Sequence, residues 1–502
     1  MHYMRTLAAG ALALLATAGI ARAEITADDV RGDLFSLLDA PGLSHAIGSE
    51  TRSGDTLVIK DIRIDIAPSD GKGGGTVTID WLRLREIDGG KVDISFDPEI
   101  VGRFHGIDEE SDQPVTWRMT LSHTGSRIVV SGDEKERRYQ SRQDGLELTV
   151  DEVQIGEDPM PFLFTVTFRD NASDNFIRSS APGGIEFDST GITGSIVWLG
   201  NFTDTDGNEL SMKGSVEQLH LTGHGRLVPV EEGENPLGKG MELEVYYEAG
   251  KGESELVSLS PQGGETRLGW SEGPSSFDFA ANRELFRMAF SSTDIAFGLE
   301  TPELPVPAEL RFGKLAFESK LPFSTDPAGK PYKLAVALEN VVAGDALMDM
   351  FDPQKILPRD PATLRLALSG TMRWLVDPMD TAAMDAFDGP TPAVVDTVSL
   401  DAAFLRAIGA LVRGSGFITL DNSAVEMGGP PMPRGKLSFE LEGIYATIDR
   451  LKQMGVLSED DATGVLAMLG VFTRPAGEGD KLVSEIEFTE GGGLVVNGQQ
   501  LQ

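Results

Sequence analysis

Phe162-Leu163-Phe164-Thr165-Val166-Thr167-Phe168 is the stretch whose reading decides the fold. Side chains in a strand alternate between two faces, so Phe162, Phe164, Val166 and Phe168 share one face and Leu163, Thr165 and Thr167 the other. The same period recurs along the chain. Val77, Ile79 and Trp81 alternate with Thr76, Thr78 and Asp80, and after the Asp88-Gly89-Gly90 turn Val92, Ile94 and Phe96 alternate again, which predicts a hairpin. Leu146, Leu148 and Val150 follow the pattern. Val216, Leu219 and Leu221 lead into Gly223, and Leu364, Leu366 and Leu368 lead into Gly370. This repeated phrase, three apolar positions and then a glycine, suits consecutive strands of one long antiparallel meander. With 58 glycines and 27 prolines the chain is rich in turns, which agrees with many strands and few long helices. The expected fold class is mostly β: extended antiparallel meander sheets, curved or sandwich-like, with a few short helices.

Helical spacing is confined to short segments. Thr26 to Leu38 carries a capping arrangement, Thr26 with Asp29, and places Val30, Leu34, Leu37 and Leu38 on one face before Pro41-Gly42. Ala343 to Phe351 allows two turns before Asp352-Pro353. Ile444 to Met454 and Ser458 to Phe472 read as an antiparallel helix pair, broken at Gly455 and restarted by Ser458 with Asp461 as its capping box. A last hairpin is expected from Val483, Ile486 and Phe488 through Gly491-Gly492-Gly493 to Leu494-Val495-Val496 and Asn497-Gly498. The acidic stretch Pro229 to Gly240 and the proline-rich Thr301 to Pro307 are candidate seams. The expected organisation is a leader at 1–23, a β-rich lobe at 24–300, and a second at 308–502 that contains the helix pair 444–472.

The first 23 residues carry an address. Arg5, the apolar run Leu7 to Ile20 and the small-x-small Ala21-Arg22-Ala23 form a secretory leader with cleavage expected before Glu24. The run is short for a membrane span and is followed by Glu24, Asp28 and Asp29, so export without a stable transmembrane anchor is expected, and with it a periplasmic location. The chain has no cysteine, which excludes disulfides, a thiol nucleophile and thiolate metal sites. Its 79 acidic against 43 basic residues, a net charge of −36, repel nucleic acid and anionic head groups.

Each candidate chemical motif has a plainer structural reading. Gly233-Glu234-Asn235-Pro236-Leu237-Gly238-Lys239 approaches a phosphate-loop spacing, but Gly240 stands where the magnesium-binding Ser or Thr belongs, beside Glu231, Glu232 and Glu234. His220 and His224 would share a metal only on a helix; on a strand they lie roughly 13 Å apart at about 3.3 Å per residue. Asp204-Thr205-Asp206-Gly207-Asn208-Glu209 resembles a calcium loop, yet Met212 and Lys213 occupy the region of its closing Glu, and Asp-Gly between strands is a hairpin tip. Asp108, Glu109, Glu110 and Asp112 read as a solvated loop. There is no G-x-S-x-G elbow, and the only Ser three before a Lys, Ser69 before Lys72, sits in a Gly-rich turn. No residue is assigned a catalytic, cofactor-binding or metal-binding role.

Several phrases toward the carboxyl end carry a family resemblance: Pro331 to Val336, Leu357-Pro358-Arg359-Asp360-Pro361-Ala362-Thr363-Leu364, Gly414 to Asp421, Asp449-Arg450-Leu451, Leu469 to Pro475 and Val496-Asn497-Gly498. Together they resemble an uncharacterised bacterial family, the domain of unknown function DUF2125, over most of the chain and most closely from about residue 330. That resemblance implies no activity. Leu411 to Asp421 and the Asn497-Gly498 hairpin are also similar, more distantly, to AsmA-type envelope proteins, whose curved sheets with an apolar concave face imply phospholipid passage or outer-membrane assembly. The chain departs from that group in having a cleavable leader where many keep an inner-membrane helix.

One imbalance bears on function. Strands such as Phe162 to Phe168 need a cover for their apolar face, and the chain offers few amphipathic helices to supply it. Two sheets then cover each other, or one curved sheet leaves an apolar groove. The expected function is non-enzymatic binding or scaffolding in the cell envelope, with lipid, another apolar ligand or envelope proteins as partners and no nucleic acid. A hydrolase of envelope polymers and a calcium-dependent surface module are the alternatives.

Overall fold

The computed structural model describes residues 25–39, 42–67, 73–108, 112–180, 184–204, 206–230, 233–425 and 429–501. The leader read at 1–23, the Ser69 and Lys72 pair, and Glu109 and Glu110 lie outside the described residues. By its contacts the chain separates into two compact units: residues up to Pro229 with Val245–Gly269, and Val230–Glu244 with Trp270–Gln502.

In the first unit the pairing order follows the chain. Leu43–Ser53, Thr56–Ile66 and Gly73–Ile87 pair antiparallel in succession. The next two rungs are long strands each interrupted once: Lys91–Phe96 runs on into Glu99–Ile107, and Pro114–Thr124 into Arg127–Gly132. Pro98, which has no N–H to give a ladder, marks the first interruption. Glu136–Ile155, Phe162–Ser180, Gly184–Thr203 and Glu209–Leu227 complete the succession, and Gly252–Leu259 returns against Glu209 to Val216. Leu82 to Ile87 and Lys91 to Phe96 form a hairpin across Asp88-Gly89-Gly90, while Val77 and Thr78, earlier on the same strand, pair with Gly102 and Val101.

The second unit is built the same way. Ser275–Ala281, Leu285–Glu300, Ala308–Pro322, Lys330–Ala343, Ala362–Trp374, Ala393–Ala407, Ala410–Asp421, Met432–Glu442, Lys481–Phe488 and Leu494–Val496 pair in sequence order. The fold class is therefore the mostly-β antiparallel meander that the alternation predicts. Thr301 to Pro307 connects two paired strands within this unit. Helices Asp345–Phe351 and Thr381–Asp385 occupy connections, and the pair Ile444–Gln453 and Glu459–Phe472 sits between the strands ending at Glu442 and starting at Lys481. Gly455 ends the first of that pair at φ +74°, and the Ser458 side chain accepts from the Asp461 N–H to start the second.

Helix Ala27–Ser36 lies over one part of the first sheet. Its capping box is formed: Thr26 Oγ1 accepts from Asp29 N–H at 3.2 Å while Thr26 N–H donates to the Asp29 carboxylate at 2.9 Å. Val30, Phe35 and Leu38 pack with Leu57, Ile59, Ile62, Ile64, Leu84, Val92, Val130, Tyr139 and Ile177 into the buried core. Within it, Arg137 Nε donates to the Asp33 carboxylate at 2.8 Å, with the Tyr139 hydroxyl 3.5 Å from the same oxygen. Burial pushes both the Asp33 carboxyl and the Tyr139 phenol above their ordinary ranges, although the Arg137 hydrogen bond opposes the shift at Asp33.

A crease crosses the strands. Gly48 stands opposite Asp61, Asp144 opposite Asp170, and Gly194 between Asp170 and Gln218. Asp61, Asp170 and Gln218 are left-handed, at φ +54°, +55° and +50°. Room for this comes from the facing glycines, since a Cβ on Gly48 would lie 2.7 Å from that of Asp61 and one on Gly194 3.0 Å from that of Asp170. The left-handed residue resets the alternation by one. Leu57 and Ile59 are buried before Asp61, and Ile62 and Ile64 after it, so odd positions hand over to even ones and the core stays on one face. Asp294, Gly313 and Asn340 repeat the device in the second unit.

Candidate functional site

On the far side of the crease from the N-terminal helix, Ile62, Ile64, Val77 and Phe104 are still buried, and the apolar face continues across the later strands as half-buried side chains. Cross-strand register places Val150, Phe164 and Met212 in one row, Leu148, Val166 and Trp198 in the next, and Leu146, Phe168, Ile196 and Val216 in a third. All of these side chains are half-buried. Rings lie flat on glycines: the Trp198 indole against Gly214 of the adjoining strand, and the Phe104 ring against Gly75 of the adjoining strand and Gly102 of its own. Laid down in this way, large aromatic groups shelter themselves against backbone and leave a smooth apolar surface. A cleft of about 320 Å³ opens at the strand ends, lined by Phe162, Leu163, Phe202, Leu210 and Leu259 among others.

The opposite face of the same strands is mixed, with Leu163 and Leu199 exposed on it among polar and charged contacts. Thr167 Oγ1 donates to Glu147 at 3.1 Å, Thr149 and Thr165 meet at 3.4 Å, and Lys213 and Arg267 both pair with Glu255. The Arg178 guanidinium bridges Glu136 and Asp188, and His224 Nδ1 lies 2.6 Å from the other Asp188 oxygen. Arg178, and then His224, hold the Asp188 carboxyl below its ordinary range.

The second unit has the same two-sided character and exposes more. Phe290 and Phe317, Val336 and Leu366, and Leu364 and Leu405 are register neighbours on one face. Phe317, Leu334 and Leu366 are each 38% exposed and Leu405 is 45% exposed, staggered over one face of four adjacent strands. Behind it, Lys333 pairs with Glu318 at 2.8 Å and Arg365 with Glu339 at 3.4 Å.

The other sequence candidates resolve into local structure. Gly233 to Gly240 forms consecutive turns in which the Asn235 side chain accepts from Leu237 N–H and Lys239 pairs with Glu234, and a strand follows where a phosphate loop needs a helix. His220 and His224 lie on the strand Glu209–Leu227, opposite Ile192 and Asp188 respectively. At the hairpin tip the Asp204 carboxylate accepts from Asp206 N–H, Asn208 N–H and Asn208 Nδ2 at 2.8–2.9 Å, so its oxygens serve the turn itself. Asp108 and Asp112 close a backbone turn. Among the described residues no group of three or more His, Asp or Glu is disposed to hold a metal ion.

A long antiparallel meander with one apolar and one mixed side is the class that this architecture defines. The profile of a family described as an uncharacterized protein conserved in bacteria, DUF2125, matches residues 253–496, and that part of the chain belongs to the family. The match takes in the strands from Ser275 onward and the helix pair, a narrower span than the resemblance read from the sequence. No curated protein matches the chain.

Proposed function

We propose that this protein is a non-enzymatic binding protein of the bacterial envelope that holds an elongated apolar ligand, an acyl chain in the first instance, against the open apolar faces of its sheets. One observation carries the reading: rows of half-buried and exposed Phe, Leu, Val and Trp occupy one side of strands whose other side is laced with ion pairs. Such a face is stable in water only at a cost, and an acyl chain laid on it contributes about 0.8 kcal/mol per methylene withdrawn from water. The leader reading of residues 1–23 gives this role a periplasmic address.

The test is organic extraction of the folded protein and displacement of a fluorescent fatty acid. Wild type should carry extractable lipid and show saturable displacement, and Leu366→Glu, which sets a charge in the middle of the second unit's exposed apolar face, should weaken displacement about tenfold or more. A folded wild-type protein with neither bound lipid nor saturable displacement refutes the reading and leaves protein scaffolding as the better account.

A further inference from the structure

Helix Glu459–Phe472 differs from the other helices in being apolar around most of its circumference and yet exposed. Its first turn is acidic, with Glu459, Asp460 and Asp461, and from Ala462 to Thr473 no residue carries a charge. Only Ala462 is buried, and Leu469, two turns further on, is half-buried; these two form the stripe that rests on the protein. Met468 is 64% and Val471 52% exposed, and Val465, Leu466 and Phe472 are exposed as well. At about 100° per residue Val471, Met468, Phe472 and Val465 cover about 120° on one side of the stripe, and Leu466 stands alone on the other. Thr463, Ala467 and Gly470 complete the circumference without a charge.

The lack of charge on every free side decides between covers. A second copy or a partner's groove covers a stripe of about 100° and leaves the rest of the circumference in water, where an ordinary amphipathic helix carries charge. Hydrocarbon surrounds a helix on every free side. The uncharged run is about 18 Å long at about 1.5 Å per residue, too short to cross a hydrocarbon core of about 30 Å. Charge bounds the run at both ends, by the acidic first turn, where Glu459 pairs with Lys452 at 2.8 Å, and by Arg474, which pairs with Val483 while Asn497 Nδ2 donates to the Phe472 carbonyl. Both ends therefore stay at the water side, and the helix lies along the surface. The same carboxylates, on a chain of net charge −36, favour zwitterionic over anionic head groups.

We propose that Glu459–Phe472 is a membrane-seating helix that lies along one leaflet of a zwitterionic phospholipid surface. The seat exists whether or not the sheet faces carry a ligand. The experiment is flotation of the full chain with phosphatidylcholine vesicles. Wild type should float with the vesicles, equally well in about 0.5 M salt, since the contact is apolar. Met468→Asp with Val471→Asp, both at exposed positions that the fold does not use, should lower the bound fraction at least tenfold while leaving fatty-acid displacement intact. In a second variant, Phe472→Trp, indole emission should shift to the blue on vesicles and be quenched by brominated acyl chains. Wild type that stays behind, a double variant that floats as well as wild type, or indole emission in Phe472→Trp that the brominated chains leave unquenched overturns the proposal. So does flotation that survives the double variant and is lost in Leu366→Glu, which would assign the lipid contact to the sheet. Self-association of wild type at micromolar concentration that the double variant abolishes would make a second copy the cover, and likewise overturns it.

Discussion

Removing Arg137 should detach the N-terminal helix from its sheet. Arg137 and Asp33 are among the few buried charged residues, their side chains only 5% and 10% exposed, and they meet at 2.8 Å between the strand Glu136–Ile155 and the helix Ala27–Ser36. Arg137→Met leaves the Asp33 carboxylate inside the core with only the Tyr139 hydroxyl, at 3.5 Å, to answer it. Truncating one member of such a pair costs about 3–5 kcal/mol, mostly from the ion left behind. Since about 1.4 kcal/mol is a factor of ten, the opening equilibrium of the helix should rise at least a hundredfold. Hydrogen exchange of the peptide spanning residues 25–39 reads this directly and avoids assuming that so long a chain unfolds in one step. Arg31 with Glu50 and Arg52 with Asp28 also hold the helix, but these are surface pairs worth a fraction of that amount. Replacing both residues, Asp33→Leu with Arg137→Met, should restore most of the protection, because a hydrophobic pair of similar size removes both desolvation terms. Exchange in Arg137→Met within threefold of wild type, or a double variant as open as the single, would refute the argument.

Three further outcomes are expected. Gly48→Ala should lower the melting temperature by an amount equivalent to about 1–3 kcal/mol, since its Cβ would lie 2.7 Å from that of Asp61; Gly269→Ala, with open space around it, should be neutral. Asp188 is held below its ordinary range, so it stabilises the fold above that range and the contribution is lost as pH falls through the folded value; acid unfolding curves of Asp188→Asn should be correspondingly flatter than wild type below about pH 4. Millimolar calcium should leave the melting temperature unchanged, because the Asp204 carboxylate is engaged by its own turn; a rise of several degrees that Asp204→Ala abolishes would count against that geometry.

The strand alternation and the helix caps are legible in the sequence because both are local. Thr26 with Asp29 and Ser458 with Asp461 form the expected capping contacts, and the Phe488 to Leu494 hairpin closes as its glycines require. The crease escapes such a reading, although its signal stands in the sequence as a phase break. Leu57 and Ile59 are separated from Ile62 and Ile64 by an odd interval with Asp61 inside it, and Phe168 is followed by Asp170 before the parity changes at Ile177. A strict period of two treats such a break as noise. The exposure of Glu459–Phe472 is equally hidden. An uncharged apolar helix is ordinarily a buried one, and only tertiary contacts reveal how little of it the protein covers.

Outside residues 242–272, pairing in chain order makes each unit nearly one-dimensional. Apart from its helices, a rung meets the one synthesised before it and the one after, so contact order stays low and zippering can begin at any hairpin. Cooperativity in such an array decays with distance, as in stacked repeats, and a lesion in one rung frays its neighbours while remote rungs hold. Adding or deleting a hairpin would lengthen or shorten the array without rewiring it. Rung number is thus a dimension along which relatives of this protein are free to vary, and the reach of the apolar face scales with it.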